Sequence, residues 1–182
     1  DLGDQDIALL AATAAHVVHC PQSNMKLASG ACPTTKLLAQ GVNVALGTDS
    51  AASNNDLNMF GEMQSAAMLG KLIAGDAAAL PASESLYMAT MGGARAMGMD
   101  QQIGSLEMGK QADIIAVDLS GPECQPLYNP LSQLVYACNG SQVSHSWVAG
   151  ASVLKEGVPA HINIKDLLAR TAAWQEKISS ND

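Results

Sequence analysis

Two short apolar runs, each ended by a polar stretch, set the rhythm of the first hundred residues. Val42, Val44, Ala45 and Leu46 form an almost continuous run, the pattern of a parallel strand covered on both faces. Gly47 closes it, and Asp49 stands two residues further on in a polar segment without a regular period. His16 to Cys20 reads as a second short strand, stopped by Pro21. Around these strands the period becomes helical. Asp4 is placed to cap a helix with Ile7, Leu10, Ala11 and Ala14 on one face. Pro33 opens another, buried by Leu37 and Leu38 and stopped at Gly41. Asn55 or Asp56 caps a third, which runs to Ala74 with Phe60, Met63 and Ala67 as its stripe. Ser83 starts a fourth that Gly92-Gly93 interrupts, followed by a short helical piece over 90–99. Gln22 to Cys32, rich in Ser, Asn and Gly, is predicted as a loop in which Ser23 and Asn24 bond back onto the chain.

Beyond Ile103 the pattern turns to strands. Asp113 to Asp118 is one, and a Gly/Pro-containing link follows. Asn129 caps and Pro130 opens a helix with Leu131, Leu134, Val135 and Cys138 inward, ended by Gly140. Val143 to Val148 and Ala151 to Leu154, joined by Ala149-Gly150, predict a hairpin. A last amphipathic helix carries Leu167, Thr171, Trp174 and Ile178.

Composition narrows the function classes. With 48% hydrophobic but only 3% aromatic residues, Ala, Val, Leu and nine Met must fill the core. The 182 residues are enough for a sizeable one. A net charge of -8 argues against a nucleic-acid surface, which needs clustered Lys and Arg. No apolar run approaches the roughly 20 residues of a membrane span. Asp1 opens an acidic stretch, not the basic start of a secretory signal. Cys20, Cys32, Cys124 and Cys138 form no CxxC pair, so free thiols in a reducing cytoplasm are expected. No phosphate-cradling glycine motif is present. The chain lacks an initiator Met and opens just before a helix, which reads as a fragment.

The candidate chemistry centres on Asp49. A carboxylate at the C-terminal mouth of a buried parallel strand is where barrel enzymes place reacting groups. Position alone leaves a second reading, a cap for the following turn. His16 and His19 are three apart on a strand, so they face opposite ways and cannot form a two-histidine metal clamp. His19 is either a hydrogen-bonded structural residue or a polar contact near a ligand. His16 and His145 read as structural, Arg95 as a surface charge.

Three stretches carry a resemblance. Val17-Val18-His19-Cys20-Pro21-Gln22-Ser23-Asn24 resembles the seventh-strand motif of the amidohydrolase superfamily. Leu46-Gly47-Thr48-Asp49-Ser50-Ala51-Ala52-Ser53-Asn54-Asn55 is similar to its eighth-strand motif, and Ile103-Gly104-Ser105-Leu106-Glu107-Met108-Gly109-Lys110-Gln111-Ala112-Asp113 to the return into its small β domain. The nearest branch is that of methylthioadenosine/S-adenosylhomocysteine deaminases and triazine hydrolases. Ser50 stands where the family usually has Gly, and Met108 where it usually has Pro; Ser50 bears on the loop's backbone conformation.

The resemblance implies an α/β fold: the C-terminal half of a (β/α)8 metal-dependent hydrolase barrel plus part of a small β-sandwich domain. Residues 1–99 would supply strands seven and eight with their helices, 100–160 a small β segment with an inserted helix, and 161–182 the last helix. It implies one divalent metal, usually zinc, held by four histidines upstream of this chain and by Asp49. Asp49 would also move the proton, Ser53 would bond the substrate, and His19 and Asn24 would lie at the barrel mouth as substrate contacts. The family's ring-protonating Glu beyond strand five has no counterpart here. The implied reaction is hydrolysis of a C–N bond outside peptides, foremost deamination of a 6-aminopurine nucleoside such as methylthioadenosine or S-adenosylhomocysteine. Alternatives are a guanine or cytosine deaminase, a triazine hydrolase, or a non-catalytic half-barrel. A small purine-type substrate, a homo-oligomer and an inactive isolated chain complete the expectations.

Overall fold

The structure, a computed structural model, describes residues 2–180. Its first half is built on two parallel strands, β1 (Val17–His19) and β2 (Val44–Leu46), in register Val17 to Val44 and His19 to Leu46. Among the described residues neither strand has a further partner. β2 is buried throughout, as its unbroken apolar run predicts, with Val44 and Ala45 each 1% exposed.

Helices α1 (Asp4–Ala12), α2 (Pro21–Leu27), α3 (Thr34–Ala39), α4 (Ala51–Asn54) and α5 (Met59–Ala74) follow the chain around this pair. Then α6 (Ala82–Tyr87) runs through a π-helical turn, Met88–Gly92, into α7 (Gly93–Ala96). Leu37, Ala66, Ala67 and Met88 are fully buried; each such Leu or Met contributes about 1.5–3 kcal/mol. The second half is an antiparallel meander of β3 (Ile114–Val117), β4 (Val143–Val148), β5 (Ala151–Lys155) and β6 (Val158–Pro159), with α8 (Pro130–Tyr136) inserted and α9 (Ile164–Ser179) at its end. The β4–β5 hairpin turns on Ala149 and Gly150, both at positive φ. Val135, Cys124 and Cys138 join the same apolar cluster as α3, β2 and α5, so one core runs through both halves.

Several sequence expectations need correction. The first part of the predicted loop is a helix, α2, with Pro21 at its first position, where proline's missing N–H is no loss; residues 28–32 are loop as expected. α1 is capped by Gly3, whose N–H bonds Asp6 Oδ2 at 2.8 Å, so Asp4 is not the cap. Ala14 lies past the helix, exposed, at φ 51°. α5 is capped by Asn58, which accepts from the Phe60 N–H at 3.0 Å, not by Asn55 or Asp56. Residues 55–57 instead form the bend between the short α4 and α5. Gly92-Gly93 does not break the helix. A Cβ on Gly92 would sit 2.6 Å from the Val44 carbonyl oxygen, so glycine lets the π turn lie directly on β2. Leu131 is 42% exposed and turns away from the core that Val135 enters. α9 buries no residue, and Trp174 and Ile178 are exposed. Among the described residues no helix is long and apolar enough to cross a membrane.

Candidate active site

Asp49 stands just beyond the C-terminal end of β2, exposed, at φ 61°. Asp tolerates that left-handed backbone better than most residues, because its short polar side chain bonds locally. Gly47 makes the approach possible: a Cβ there would lie 2.9 Å from Val18 Cγ1. Two hydroxyls converge on one carboxylate oxygen. Ser23 Oγ donates to Asp49 Oδ2 at 2.8 Å, and Ser53 Oγ donates to the same atom at 2.9 Å. Ser53 has only one proton, and the alternative acceptor, the Ser50 carbonyl, is farther at 3.2 Å. These bonds, Ser23 first, then Ser53, then the Ser50 backbone, hold the Asp49 carboxyl below the usual aspartate range. Asp49 is therefore an anion at neutral pH.

Each donor is delivered by its own short helix. Ser23 is buried in the first turn of α2, and Ser53 is buried in α4. Lys26, at the end of α2, donates to the Ala52 carbonyl at 2.8 Å and to Asn55 Oδ1 at 2.6 Å, tying α4 down from outside. From inside, Glu62 of α5 does the same. Its side chain is 0% exposed; Oε2 accepts from the Gln22 N–H at 3.2 Å and Oε1 from Asn54 Nδ2 at 2.5 Å. Asn54 Oδ1 in turn accepts from the Leu57 N–H at 2.8 Å, which fixes which way its amide points. Burial pushes the Glu62 carboxyl above its ordinary pKa, against the pull of those two donors.

His19 ends β1 and is 3% exposed, and its Nδ1 has no hydrogen-bond partner. Burial lowers its pKa to about 4, so the ring is neutral at pH 7. With Asn24, Val18 and Cys32 it lines a cavity of about 250 Å³ beside β1. The structure thus gathers Ser23 and Ser53 at Asp49, and His19 and Asn24 at the neighbouring cavity. Burial first, then the charges of Asp49 and Glu62, raise the Cys20 thiol pKa, which disfavours the thiolate that a nucleophile needs. His145 stacks on Trp147 within β4, and Arg95 lies over the Tyr87 ring.

Among the described residues no three His, Cys, Asp or Glu side chains gather to hold a metal. Asp49, anionic and solvent-facing at the strand mouth, has the chemistry of one donor to a divalent ion, and a coordination shell of about three protein ligands would need further donors from outside the described residues. Sequence reasoning assigned Ser23 to a loop-internal bond and passed over Glu62 and Asn54. The available signal for Glu62 was a lone carboxylate set among the buried positions Phe60, Met63 and Ala66 of α5.

Two parallel strands wrapped by helices, with a hydroxyl-cradled aspartate just past the C-terminal end of β2, form part of an α/β barrel. The chain belongs to the amidohydrolase family, whose model matches residues 2–153. It is 56% identical over 176 residues to a 5-methylthioadenosine/S-adenosylhomocysteine deaminase of Teredinibacter turnerae, covering 97% of this chain and 40% of that protein. It is 48% identical to the corresponding deaminase of Saccharophagus degradans, over 98% of this chain and 40% of the relative. An adenosine deaminase structure from Xanthomonas campestris with bound zinc superimposes with a TM-score of 0.97 at 48% identity, over 99% of this chain and 41% of that one. An atrazine chlorohydrolase from Arthrobacter aurescens complexed with zinc superimposes at 0.87 and 26% identity, over 95% and 38%. The chain therefore spans about 40% of the length of the curated relatives it matches.

Proposed function

We propose that the protein to which this chain contributes is a metal-dependent aminohydrolase of 6-aminopurine nucleosides, methylthioadenosine or S-adenosylhomocysteine foremost. The observation that carries the proposal is the Asp49 carboxylate, held anionic at the mouth of β2 by Ser23 and Ser53. The names of relatives 44–56% identical to this chain support the substrate class. A divalent metal, zinc as in the adenosine deaminase neighbour, would supply Lewis-acid activation of water. Asp49 would contribute one ligand and carry a proton from the attacking water toward the leaving amine. Ser53 and Ser23 keep that carboxylate oriented, and Ser53, His19 and Asn24 are the proposed substrate contacts. A neutral His19 offers one donor and one acceptor, which suits a ribosyl or purine polar atom.

The four cysteines are free thiols, which supports a reducing, cytoplasmic compartment. The outer edges of β1 and β2, unpaired among the described residues, support association, either with the rest of a barrel or with further subunits. A second reading, an amidohydrolase acting on guanine or on a triazine, is favoured by the atrazine chlorohydrolase superposition and by that of Escherichia coli guanine deaminase, TM-score 0.77. Ammonia release measured on methylthioadenosine, S-adenosylhomocysteine and guanine, and chloride release on a chlorotriazine, with the zinc-loaded full-length protein, separate the two. Selective turnover of the nucleosides supports the proposal, and turnover confined to guanine or triazine overturns it.

A further inference from the structure

Asp49 is oriented by two serines that come from different helices, and the direct tie between those helices, Lys26 of α2 on the Ala52 carbonyl and Asn55 Oδ1, lies on their outer side. α2 and α4 touch, but their shared anchor lies beneath them in α5. Glu62 is fully buried, and each of its carboxylate oxygens takes one donor: the Gln22 N–H next to Ser23, and the Asn54 amide next to Ser53. The Asn54 amide cannot turn over without losing the Leu57 N–H. The chain of bonds Gln22–Glu62–Asn54–Leu57 is thus polar at every link and satisfied at every link.

We infer that Glu62, acting through Asn54, is the positioning residue that sets the distance between the Ser23 and Ser53 hydroxyls and so aims the Asp49 carboxylate. The inference rests on the aminohydrolase reading only for the activity it predicts; the geometry stands without it. A buried carboxylate is otherwise a costly choice inside an apolar helix stripe, where removing one partner strands a desolvated polar group. Its two-acceptor geometry is what that position uses, since a carboxylate accepts with both oxygens whereas an amide accepts with one.

The network's polarity supplies the test. In Glu62→Gln, one amide edge must face a donor, whichever way it is turned: either Gln22 N–H or Asn54 Nδ2 loses its acceptor. Turning Asn54 instead strands the Leu57 N–H. The double variant Glu62→Gln with Asn54→Asp reverses the middle bond. The amide introduced on α5 would donate to the carboxylate introduced on α4, and that carboxylate would still accept from the Leu57 N–H. All three bonds return with the same shape and one carboxylate. Two readouts are taken on the zinc-loaded full-length protein. Hydrogen exchange by mass spectrometry follows segments 21–24 and 50–58, and steady-state kinetics on methylthioadenosine separates kcat from KM. The expected result is faster exchange confined to those two segments in Glu62→Gln, with kcat lower by roughly 10–100-fold, the scale for a misaimed reacting group, and KM within about 3-fold; the double variant recovers both. Unchanged exchange and kcat in Glu62→Gln overturn the inference. So does a double variant that stays as impaired as the single, or exchange that rises equally across β2 and α5, since that marks plain loss of stability. If the wild-type protein does not turn over methylthioadenosine, the aminohydrolase reading fails while the exchange pattern still decides this one.

Discussion

His19 makes the protein's stability depend on pH in a window that no carboxylate explains. The ring is 3% exposed and its Nδ1 has no partner, and burial lowers its pKa from 6.5 to about 4. The unfolded chain therefore binds a proton at His19 more readily than the folded one. Stability is complete above about pH 6.5 and is lost as pH falls toward 4. With those two pKa values the loss is about 2 kcal/mol at pH 5 and about 3 kcal/mol at pH 4. That is a large share of the roughly 5–15 kcal/mol typical of a domain. Glu62 acts in the opposite direction: its folded pKa is raised, so its contribution grows as pH falls through the range just above the ordinary glutamate value. Asp49, Glu107 and Asp118 are lowered and withdraw their stability only at more acid pH. Comparison with His19→Gln separates the histidine from the acids, because every other group is common to both proteins. Urea unfolding at about pH 7.5, 6.5, 5.5 and 4.5 should show the two stability curves converging or crossing by about 2–3 kcal/mol as pH falls. Parallel curves would refute the reasoning, as would an NMR titration placing His19 near its ordinary value of about 6.5.

Two further outcomes follow from contacts already described. Gly92→Ala drives a Cβ to within 2.6 Å of the Val44 carbonyl oxygen, a backbone atom that cannot rotate away, and should cost about 1–3 kcal/mol of stability with an unchanged denaturant slope. A wild-type urea midpoint for that variant would mean the π turn is not pressed on β2. The isolated 182-residue chain, with Asp49 as its one proposed ligand, should retain well under one equivalent of zinc after dialysis, measured by elemental analysis; stoichiometric zinc would show that the ligand count is wrong.

What was legible in the sequence was local. The apolar run at 42–46 announces a buried strand, and β2 is one. The hairpin is written in Ala149-Gly150 between two alternating segments. The residues that were misread all act over distance. Gln22 and Ser23 look like loop residues because they are polar, yet their partners lie 40 and 26 positions away, in Glu62 and Asp49. Once those bonds exist, Pro21 opens a helix rather than merely ending a strand. The cap of α5 moved to Asn58 because Asn55 and Leu57 both take positive φ in leaving α4. Asn55, Asp56 and Asn58 are equally good caps by residue type, and the backbone path out of α4, with Asn54 bonded to Glu62, is a feature that residue type does not carry. α9 shows the converse: its apolar positions follow a helical period, and the helix forms, but period alone does not say what the face packs on. Asp49 is singled out by position and motif; its two hydroxyl donors can be paired with it only in three dimensions.

In the proposed hydrolytic deamination Asp49 would hold the metal and move a proton. The measurement that tests it most directly is ammonia release from methylthioadenosine by the full-length protein, wild type against Asp49→Asn, with zinc content determined on the same samples. The substitution keeps the size of the side chain and removes its charge and its ability to carry the proton. The account predicts a loss of at least about 10²-fold in kcat, together with weakened zinc retention. An Asp49→Asn protein that releases ammonia at a near wild-type rate and holds its zinc would contradict it.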